Sequence, residues 1–139
     1  MARIKIAIPQ TESLYTTSIP LTVNFINYGG HMGNDAILTL CQEARLRYME
    51  SIEMSELQFH GHSLIQADAA IVYKAEAFRG DNLEFELFME DHHKYGFDFV
   101  YLIKCGDKEI ARAKTGMIFF DYEKRKVSLS PLYSINHRS

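Results

Sequence analysis

The sequence predicts an α+β domain in which one long helix packs against an antiparallel β-sheet. Only one segment, from about Asn34 to Glu53, repeats apolar residues at steps of three and four, as an amphipathic helix does. Most other segments alternate apolar and polar residues, as strands with one buried face do. Short turns join the strands that follow the helix, so these strands are expected to be antiparallel neighbours. A single helix can cover one face of such a sheet.

The chain before the helix is predicted to be extended. Arg3 to Ile8 alternates charged and apolar residues and is predicted to form a short strand, followed by a turn from Pro9 to Ser13. A second extended segment is predicted from Tyr15 to Ile26. It ends in a polar, glycine-rich run over residues 27–31, which separates it from the helix.

The predicted helix has one apolar stripe and a polar opposite face. Asn34 suits the N-cap and Asp35 suits the first turn, where a negative charge complements the helix dipole. Glu43 and Arg47 are spaced as an i, i+4 ion pair. The stripe consists of Ile37, Cys41, Ala44, Tyr48 and Ile52, and it is widened by Leu38, Leu40 and Met49.

Four long strands are predicted after the helix. Phe97 to Ile103 is apolar on both faces and is therefore expected to be the central strand. The turns each contain a glycine, Gly80, Gly96 or Gly106, where a positive φ is expected. The polar segment from Asp121 to Ser139, with a charge run over residues 123–126, is expected to be a solvated hairpin or tail. The remaining strands are predicted around residues 65–74, 84–90 and 109–120.

These elements add up to an antiparallel sheet of about five to six strands wrapped around one long helix, which is the hotdog architecture. They use nearly all of the 139 residues, so a single domain over residues 1–139 is predicted. With 15 Lys and Arg against 18 Asp and Glu, the net charge is −3, and a broad basic surface for nucleic acid is not expected.

The two cysteines and the N-terminus bear on the cellular compartment. Cys41 and Cys105 both lie in segments of apolar periodicity. One disulfide is compatible with the sequence, but two buried free thiols in a reducing compartment are favoured. The N-terminal apolar stretch is interrupted by Lys5 and Pro9, and no run approaches the length of a membrane span. The protein is therefore expected to be soluble and cytoplasmic.

Three motifs carry a resemblance to a known family. The most specific is the run Asn-Tyr-Gly-Gly-His-Met-Gly-Asn at 27–34, leading into a helix that contains Glu-Ala-Arg-Leu-Arg-Tyr at 43–48. The others are Ile71-Val72-Tyr73 through Gly80-Asp81-Asn82-Leu83, and residues 110–116, Ile-Ala-Arg-Ala-Lys-Thr-Gly. In this order and spacing, the chain from Ile19 to Val127 resembles the hotdog-fold acyl-CoA thioesterases of the 4-hydroxybenzoyl-CoA thioesterase-like branch.

The sequence departs from that family at one important position. Many members have an aspartate three residues before the glycine of Gly-His, where it acts as nucleophile or general base. This position is Asn27 here, and an amide cannot accept a proton at neutral pH. Either another acid has taken over, or the site binds thioesters without hydrolysing them. Asn27 retains the ability to position a water or to donate to a carbonyl oxygen.

The resemblance and the loop together give the candidate site residues. Backbone N–H groups at a helix N-terminus can polarise a thioester carbonyl. Asp35 is the carboxylate nearest the vacated position and is the favoured base or nucleophile, with an acid at the helix start that has no catalytic duty as the alternative. His31 is a candidate for contacting the carbonyl or orienting Asn27. The expected substrate-binding residues are Gly30, Met32, Gly33 and Asn34.

Glu43 is a weaker candidate. It lies eight residues beyond Asp35, about 12 Å along the helix axis. It is expected either to reach a partner's pocket in a catalytic role or to pair with Arg47 in a structural one.

Other chemistries are less well supported. The histidine pairs at 60 and 62 and at 92 and 93 lack the spacing of a recognised metal site, so no metal is predicted. No cofactor is expected apart from coenzyme A as part of the substrate. Its phosphates need exposed cations, and the candidates are Lys74, Arg79, Lys94 and Arg112.

The predicted activity is hydrolysis of an acyl-CoA to free acid and coenzyme A. A non-catalytic hotdog protein that binds acyl thioesters is the alternative, and a pure assembly role also stays open. A hotdog dehydratase is disfavoured because the string Phe-Pro-Gly-His is absent. The resemblance further implies a homodimer or a dimer of dimers, with sites at the subunit interface.

Overall fold

Six strands form one antiparallel sheet, and a single α-helix packs against it in the computed structural model, which describes residues 3–133. The helix α1 is Ala36–Ser51, and a short 3-10 helix is Val23–Phe25. The strands are β1 Tyr15–Pro20, β2 Ser63–Tyr73, β3 Asn82–His93, β4 Gly96–Cys105, β5 Lys108–Asp121 and β6 Lys126–Val127. The predicted α+β class is confirmed.

The sheet order is β1-β3-β4-β5-β2, with the two-residue strand β6 added to the end of β5. β4 is therefore central, as its two-sided apolar sequence predicts. It is buried on both faces, because Phe99 and Tyr101 as well as the intervening Val100 are inaccessible to solvent. β1 and β2 form the two edges, and β2 has a bulge between Gln66 and Asp68.

The core lies between α1 and the inner face of the sheet. Most of the predicted stripe is buried, and the Glu43–Arg47 pair forms with 2.7 Å between Oε2 and Nε. Leu38 and Ile52 were wrongly placed in the stripe, since each is 37% exposed. Leu38 is turned about 100° from Ile37 around the helix axis, and Ile52 follows the last helical residue.

The N-terminal segment departs from the prediction. Arg3 to Ile8 forms no strand; its backbone is held by the side chain of Arg112, whose Nη1 donates to Ile6 O at 3.0 Å. The predicted extended segment of residues 15–26 holds only as far as Pro20, beyond which the chain turns into the 3-10 helix. Alternation alone is not sufficient for a strand, because a strand also needs a neighbouring strand to pair with.

The glycine predictions hold at two of three turns. Gly80 and Gly106 have φ of 92° and 59°. Gly96 does not have positive φ and instead begins β4, where a Cβ would overlap the carbonyl oxygen of Met117 in β5. The positive φ in this hairpin belongs to Asp91, at 53°. Gly96 is thus required for close approach of two strands and not for a turn.

The charged C-terminal segment, the two cysteines and the membrane-span criterion were also addressed by the sequence. The charge run forms the turn between β5 and β6, so the hairpin is confirmed as far as residue 133; residues 134–139 lie outside the described part of the chain. Cys41 is buried and Cys105 only half-buried, and both thiols are free. Within residues 3–133, no helix combines the length and the apolar character needed to cross a membrane.

Candidate functional site

The loop before the helix is a tight turn closed by the side chain of Asn27. Its Oδ1 accepts hydrogen bonds from the backbone N–H of Gly29 at 3.0 Å and of His31 at 3.3 Å. Backbone bonds reinforce the turn, since Asn27 N donates to His31 O at 2.9 Å and Gly30 N donates to Asn27 O at 3.1 Å. Gly30 has φ of 80°, which glycine adopts without strain. The sequence therefore folds here into a turn in which Asn27 has a structural task.

Two further hydrogen bonds attach this loop to the rest of the fold. Met32 N donates to Ala77 O, and Gly33 N donates to Phe25 O, both at 2.8 Å. The first bond crosses to the segment that follows β2, and the second crosses to the 3-10 helix. The loop is consequently held in place immediately before α1 begins.

The helix begins one residue later than predicted. The N-cap is Asp35, not Asn34, and it has helical φ and ψ of −77° and −18°. Asn34 instead offers its backbone carbonyl to the hydroxyl of Tyr73, which donates a short hydrogen bond. The turn in which Ala36 N donates to Gly33 O, at 3.1 Å, sets the helix start at Ala36 and leaves Asn34 outside the cap.

The Asp35 carboxylate has no capping hydrogen bond. It lies over Gly33, because a Cβ on that glycine would come within 2.8 Å of Asp35 Oδ1. It also lies near Tyr73: burial raises the pKa of the Tyr73 hydroxyl, and the charge of Asp35 raises it further. Asp35 is therefore an exposed carboxylate beside the first turn of α1, where the backbone N–H groups have no partners within the helix.

A cavity of about 400 Å³ adjoins this loop and is called the loop cavity below. Four of the predicted site residues line it, while Asp35, Gly30, Gly33 and Glu43 do not. The opposite wall is formed by residues 73–77, of which only Lys74 was among the candidates from the sequence. The second resemblance motif, residues 71–83, spans this wall and was the signal available for it. The lining residues are Asn27, His31, Met32, Asn34, Tyr73, Lys74, Ala75, Glu76 and Ala77.

His31 contacts Glu76 across the loop cavity. Its Nδ1 lies 3.2 Å from Glu76 Oε2, outside hydrogen-bond geometry, and the ring packs against Phe78 with 5.2 Å between centroids. A Cβ on Gly29 would come within 3.1 Å of His31 Cδ2, so glycine leaves room beside the imidazole. The His31 ring therefore does not orient the Asn27 side chain. The backbone N–H of His31 does so, because it donates to Asn27 Oδ1.

The side chain of Asn27 can offer N–H hydrogen-bond donors to this cavity, but it cannot accept a proton. Its Oδ1 already accepts two backbone N–H groups, an arrangement that assigns the oxygen end of the amide. The Nδ2 amide hydrogens are therefore the groups left for a ligand.

Glu43 lies in a different place. It pairs with Arg47, whose Nη1 also donates to Thr17 Oγ1 at 2.9 Å and to Ser18 O at 3.0 Å. Both residues line a second cavity of about 410 Å³ between α1 and the segment from β1 to the 3-10 helix, named here the helix groove. Within one chain, Glu43 is thus not brought to the loop cavity.

The other charged candidates are also separated. Of the four cations proposed for phosphate, only Lys74 lines the loop cavity; Lys94 lies 5.7 Å from the centroid of Tyr95. His60 and His62 pack against the aromatic rings of Phe59 and Phe119. Among residues 3–133, no three His, Cys, Asp or Glu side chains are grouped so that they could hold a metal ion.

An antiparallel sheet with a single helix, and a backbone-lined site at the start of that helix, define a hotdog-fold protein. A family model described as the thioesterase-like superfamily matches residues 21–132, and the chain belongs to this superfamily. No curated protein matches the sequence.

Solved structures agree with the fold. The 1,4-dihydroxy-2-naphthoyl-CoA thioesterase Slr0204 of Synechocystis is 22% identical, with a TM-score of 0.76 over 88% of this chain and 93% of that one. The Staphylococcus aureus protein SAV2348, solved with CoA, is 16% identical, with a TM-score of 0.77 over 94% and 84%. The gentisyl-coenzyme A thioesterase BH1999 is 13% identical, with a TM-score of 0.74 over 84% and 96%.

Proposed function

We propose that this protein hydrolyses an acyl-CoA thioester to the free acid and coenzyme A at the start of α1, beside the loop cavity. The observation that carries the proposal is that the Asp35 carboxylate makes no capping hydrogen bond and lies beside the first turn of α1, whose backbone N–H groups have no partner within the helix. Membership of the thioesterase-like superfamily and the CoA-related activities of the similar structures support the same reaction.

The helix start supplies the electrophilic part of the site. The thioester oxygen accepts hydrogen bonds from backbone N–H groups of the first turn, where the helix dipole also favours developing negative charge. Asn27 adds an amide N–H donor from the neighbouring loop. Gly30, Met32, Gly33 and Asn34 shape the backbone against which the thioester lies.

Asp35 supplies the base in this proposal. It takes a proton from water as the water oxygen attacks the acyl carbon; the C–S bond then breaks, and the leaving coenzyme A thiolate takes up that proton. In the alternative route, the carboxylate attacks the acyl carbon, the C–S bond breaks and coenzyme A thiolate leaves an acyl–Asp35 anhydride. Water then hydrolyses the anhydride to the free acid and the Asp35 carboxylate, and a proton from that water ends on the thiolate. His31 contacts the bound thioester from the loop.

A second copy of the chain is part of the proposal. β2 is an edge strand, and residues 66–69 are exposed, which leaves backbone groups free for pairing with another strand. Tyr73 and Phe78, which are 45% and 42% exposed, flank the same end of the molecule. In a dimer or dimer of dimers formed along β2, the partner covers this surface. The helix groove of one chain then lies beside the substrate of the other, which is how Glu43 reaches a substrate.

The activity is tested by release of free thiol from short, long and aromatic acyl-CoA substrates. Asp35→Asn keeps the size of the side chain and removes the base, so we expect a loss of at least about 100-fold in kcat. Asp107→Asn, in the exposed turn after β4, is the matched control and keeps full activity. Full activity of the Asp35→Asn protein rules out Asp35 as the base. If the wild type turns over no acyl-CoA with any acyl group, the proposed hydrolase activity is ruled out.

The assembly is tested by sedimentation of the wild type beside Ala69→Lys. Ala69 is exposed on β2, so a lysine there leaves the folded monomer intact but places charge in the proposed pairing surface. We expect a dimer or tetramer for the wild type and a monomer for the variant. A monomeric wild type contradicts this part of the proposal.

Asn27 favours one second candidate, a protein that binds acyl thioesters without cleaving them. Its amide oxygen is committed to the loop, and it cannot replace a basic aspartate. Calorimetric binding of an intact acyl-CoA, together with complete recovery of the thioester after long incubation, identifies this function.

A further inference from the structure

A third cavity, which adjoins the loop cavity, has a strongly cationic lining. It measures about 380 Å³ and lies between the N-terminal segment and the end of β2, so we name it the arm cavity. Three of its seven lining residues are basic, and none is acidic. The lining residues are Ile4, Lys5, Ile6, Ala7, Val72, Lys74 and Arg112. On a chain with a net charge of −3, this concentration of positive charge is local.

Lys74 joins the two cavities. It is the one residue that lines both the loop cavity and the arm cavity within the described part of the chain. It follows directly on Tyr73, whose hydroxyl binds the backbone at the helix start. A ligand whose reactive group lies at the helix start and whose anionic end lies in the arm cavity therefore passes Lys74.

Arg112 retains hydrogen-bonding capacity toward the arm cavity. A guanidinium has five N–H groups. Its Nε donates to Glu109 in a short ion pair, and Nη1 donates to Ile6 O at 3.0 Å. Three N–H groups are left without a partner in residues 3–133. The two bonds that are made fix the plane of the guanidinium, which suits two-point recognition of a phosphate.

The carboxylate of Glu109, which pairs with Arg112, does not cancel the positive charge. The hydrogen bond from Arg112 lowers the pKa of Glu109, burial partly opposes this, and the charges of Lys74 and Lys104 lower it further. Glu109 is thus surrounded by cations. Three cations, Arg112, Lys74 and Lys104, thus act on this one carboxylate, and Lys5 adds a further positive charge to the cavity lining.

We propose that the arm cavity binds the phosphate groups of the nucleotide end of the thioester substrate, with Lys5, Lys74 and Arg112 as the contacting residues. The inference rests on the proposed function for the identity of the substrate, but the site is defined by its own residues. Phosphate esters are the ligands that combine several negative charges with the oxygen geometry that arginine matches.

The binding test uses adenosine 3′,5′-bisphosphate, which has the phosphates but no thioester, and inorganic pyrophosphate as a second probe. We expect calorimetry to show binding of the bisphosphate to the wild type, weakened about tenfold by Arg112→Met and severalfold by Lys5→Gln. Lys124→Gln, an exposed lysine in the β5–β6 turn, is the matched control and leaves binding unchanged. Lys5 lies on the exposed arm, so Lys5→Gln keeps the test valid if Arg112→Met fails to fold.

A kinetic comparison separates this inference from the proposed activity. Lys5→Gln is expected to raise KM for an acyl-CoA severalfold and to leave the kinetics of the corresponding acyl-pantetheine, which lacks the phosphates, unchanged. If the wild type does not bind the bisphosphate, or if the variants bind it as tightly as the wild type does, the phosphate site is overturned even if thioesters are hydrolysed. Pyrophosphate binding without bisphosphate binding also overturns it, because the ligand is then a free anion. Weakened bisphosphate binding in the variants supports the site even if no thioester is cleaved.

Discussion

Arg45 Nη1 donates a hydrogen bond to Tyr101 Oη at 3.1 Å inside the core of the protein, between the helix and the central strand. Arg45 is only 2% exposed. Its Nε pairs with Glu56 Oε2 at 3.0 Å, and the Tyr101 hydroxyl also shares a hydrogen bond of 2.7 Å with Thr115. Burial alone lowers the pKa of Arg45, but Tyr101 and Glu56 outweigh it and raise the pKa above its usual value. The helix is thus joined to the sheet by a buried charge whose partners are all in place.

Removing this charge should strongly destabilise the protein. Arg45→Met leaves Glu56 and the Tyr101 hydroxyl without their donor, so we expect the free energy of unfolding in urea to fall by about 3 kcal/mol or more. Arg47→Met, two residues along the same helix, breaks a half-exposed pair with Glu43 and the hydrogen bonds to Thr17 and Ser18, so it should cost less, about 2 kcal/mol or less. Equal losses for the two variants would show that the buried network has no special weight.

The carboxyl of Asp98 should make stability depend on pH. Burial raises its pKa above the ordinary value of 3.8; Lys114 opposes the shift, and Asp91 and Asp68 add to it. Because the folded state holds the proton more tightly, the stability linked to Asp98 is largest below the unfolded pKa and is lost as pH rises through the folded pKa.

Asp98→Asn removes this dependence. Relative to wild type, the variant should become progressively more stable as the pH rises above the ordinary carboxyl pKa of 3.8 and through the raised folded-state pKa. Urea unfolding at a series of pH values measures the difference, with Asp107→Asn as the control. A difference that moves in the opposite direction would mean that the ion pair with Lys114, at 3.7 Å, dominates.

The two kinds of glycine should respond differently to the same substitution. Gly106→Asn places a residue that tolerates positive φ in open space, and we expect a change in unfolding free energy of less than about 1 kcal/mol. Gly96→Asn drives a Cβ into the Met117 carbonyl, so it should cost about 3 kcal/mol or prevent folding. Thermal unfolding of both variants decides the matter, and a mild effect at Gly96 would mean that β4 and β5 can separate there.

Asn27 should be replaceable by aspartate but not by alanine. An aspartate oxygen can accept the same two hydrogen bonds from Gly29 and His31, whereas Asn27→Ala leaves both N–H groups unpaired. Amide hydrogen exchange at residues 29 and 31 is the direct measurement. We expect protection to persist in Asn27→Asp and to be lost in Asn27→Ala; loss in both would show that the amide hydrogens, and not the oxygen, hold the loop.

The sequence predicted those parts of the fold that depend on local periodicity. The helix stripe at Ile37 and Cys41 and the central position of Phe97 to Ile103 follow from apolar spacing, and both are confirmed. The strand at Arg3 to Ile8 was wrong because its alternation has no strand beside it. Gly96 was wrongly assigned to a turn because the sequence around it does not show how closely the neighbouring strand approaches.

The candidate site was predicted only in part for the same reason. Asn27 and His31 belong to one loop, so their proximity follows from the chain itself. Tyr73 and Glu76 reach the loop cavity through the end of β2, which is brought there by sheet pairing far along the sequence. The catalytic roles of Asp35, Asn27, His31 and Glu43 stay predictions.

The closure of the loop by an amide has a consequence for acid tolerance. A carboxylate in this position would lose acceptor strength on protonation, so the turn would loosen as the medium became acidic. The Asn27 oxygen is neutral and accepts the N–H groups of Gly29 and His31 equally well at any pH at which the protein is folded. The two hydrogen bonds that close the loop are thereby uncoupled from the ionisation of the side chain that accepts them.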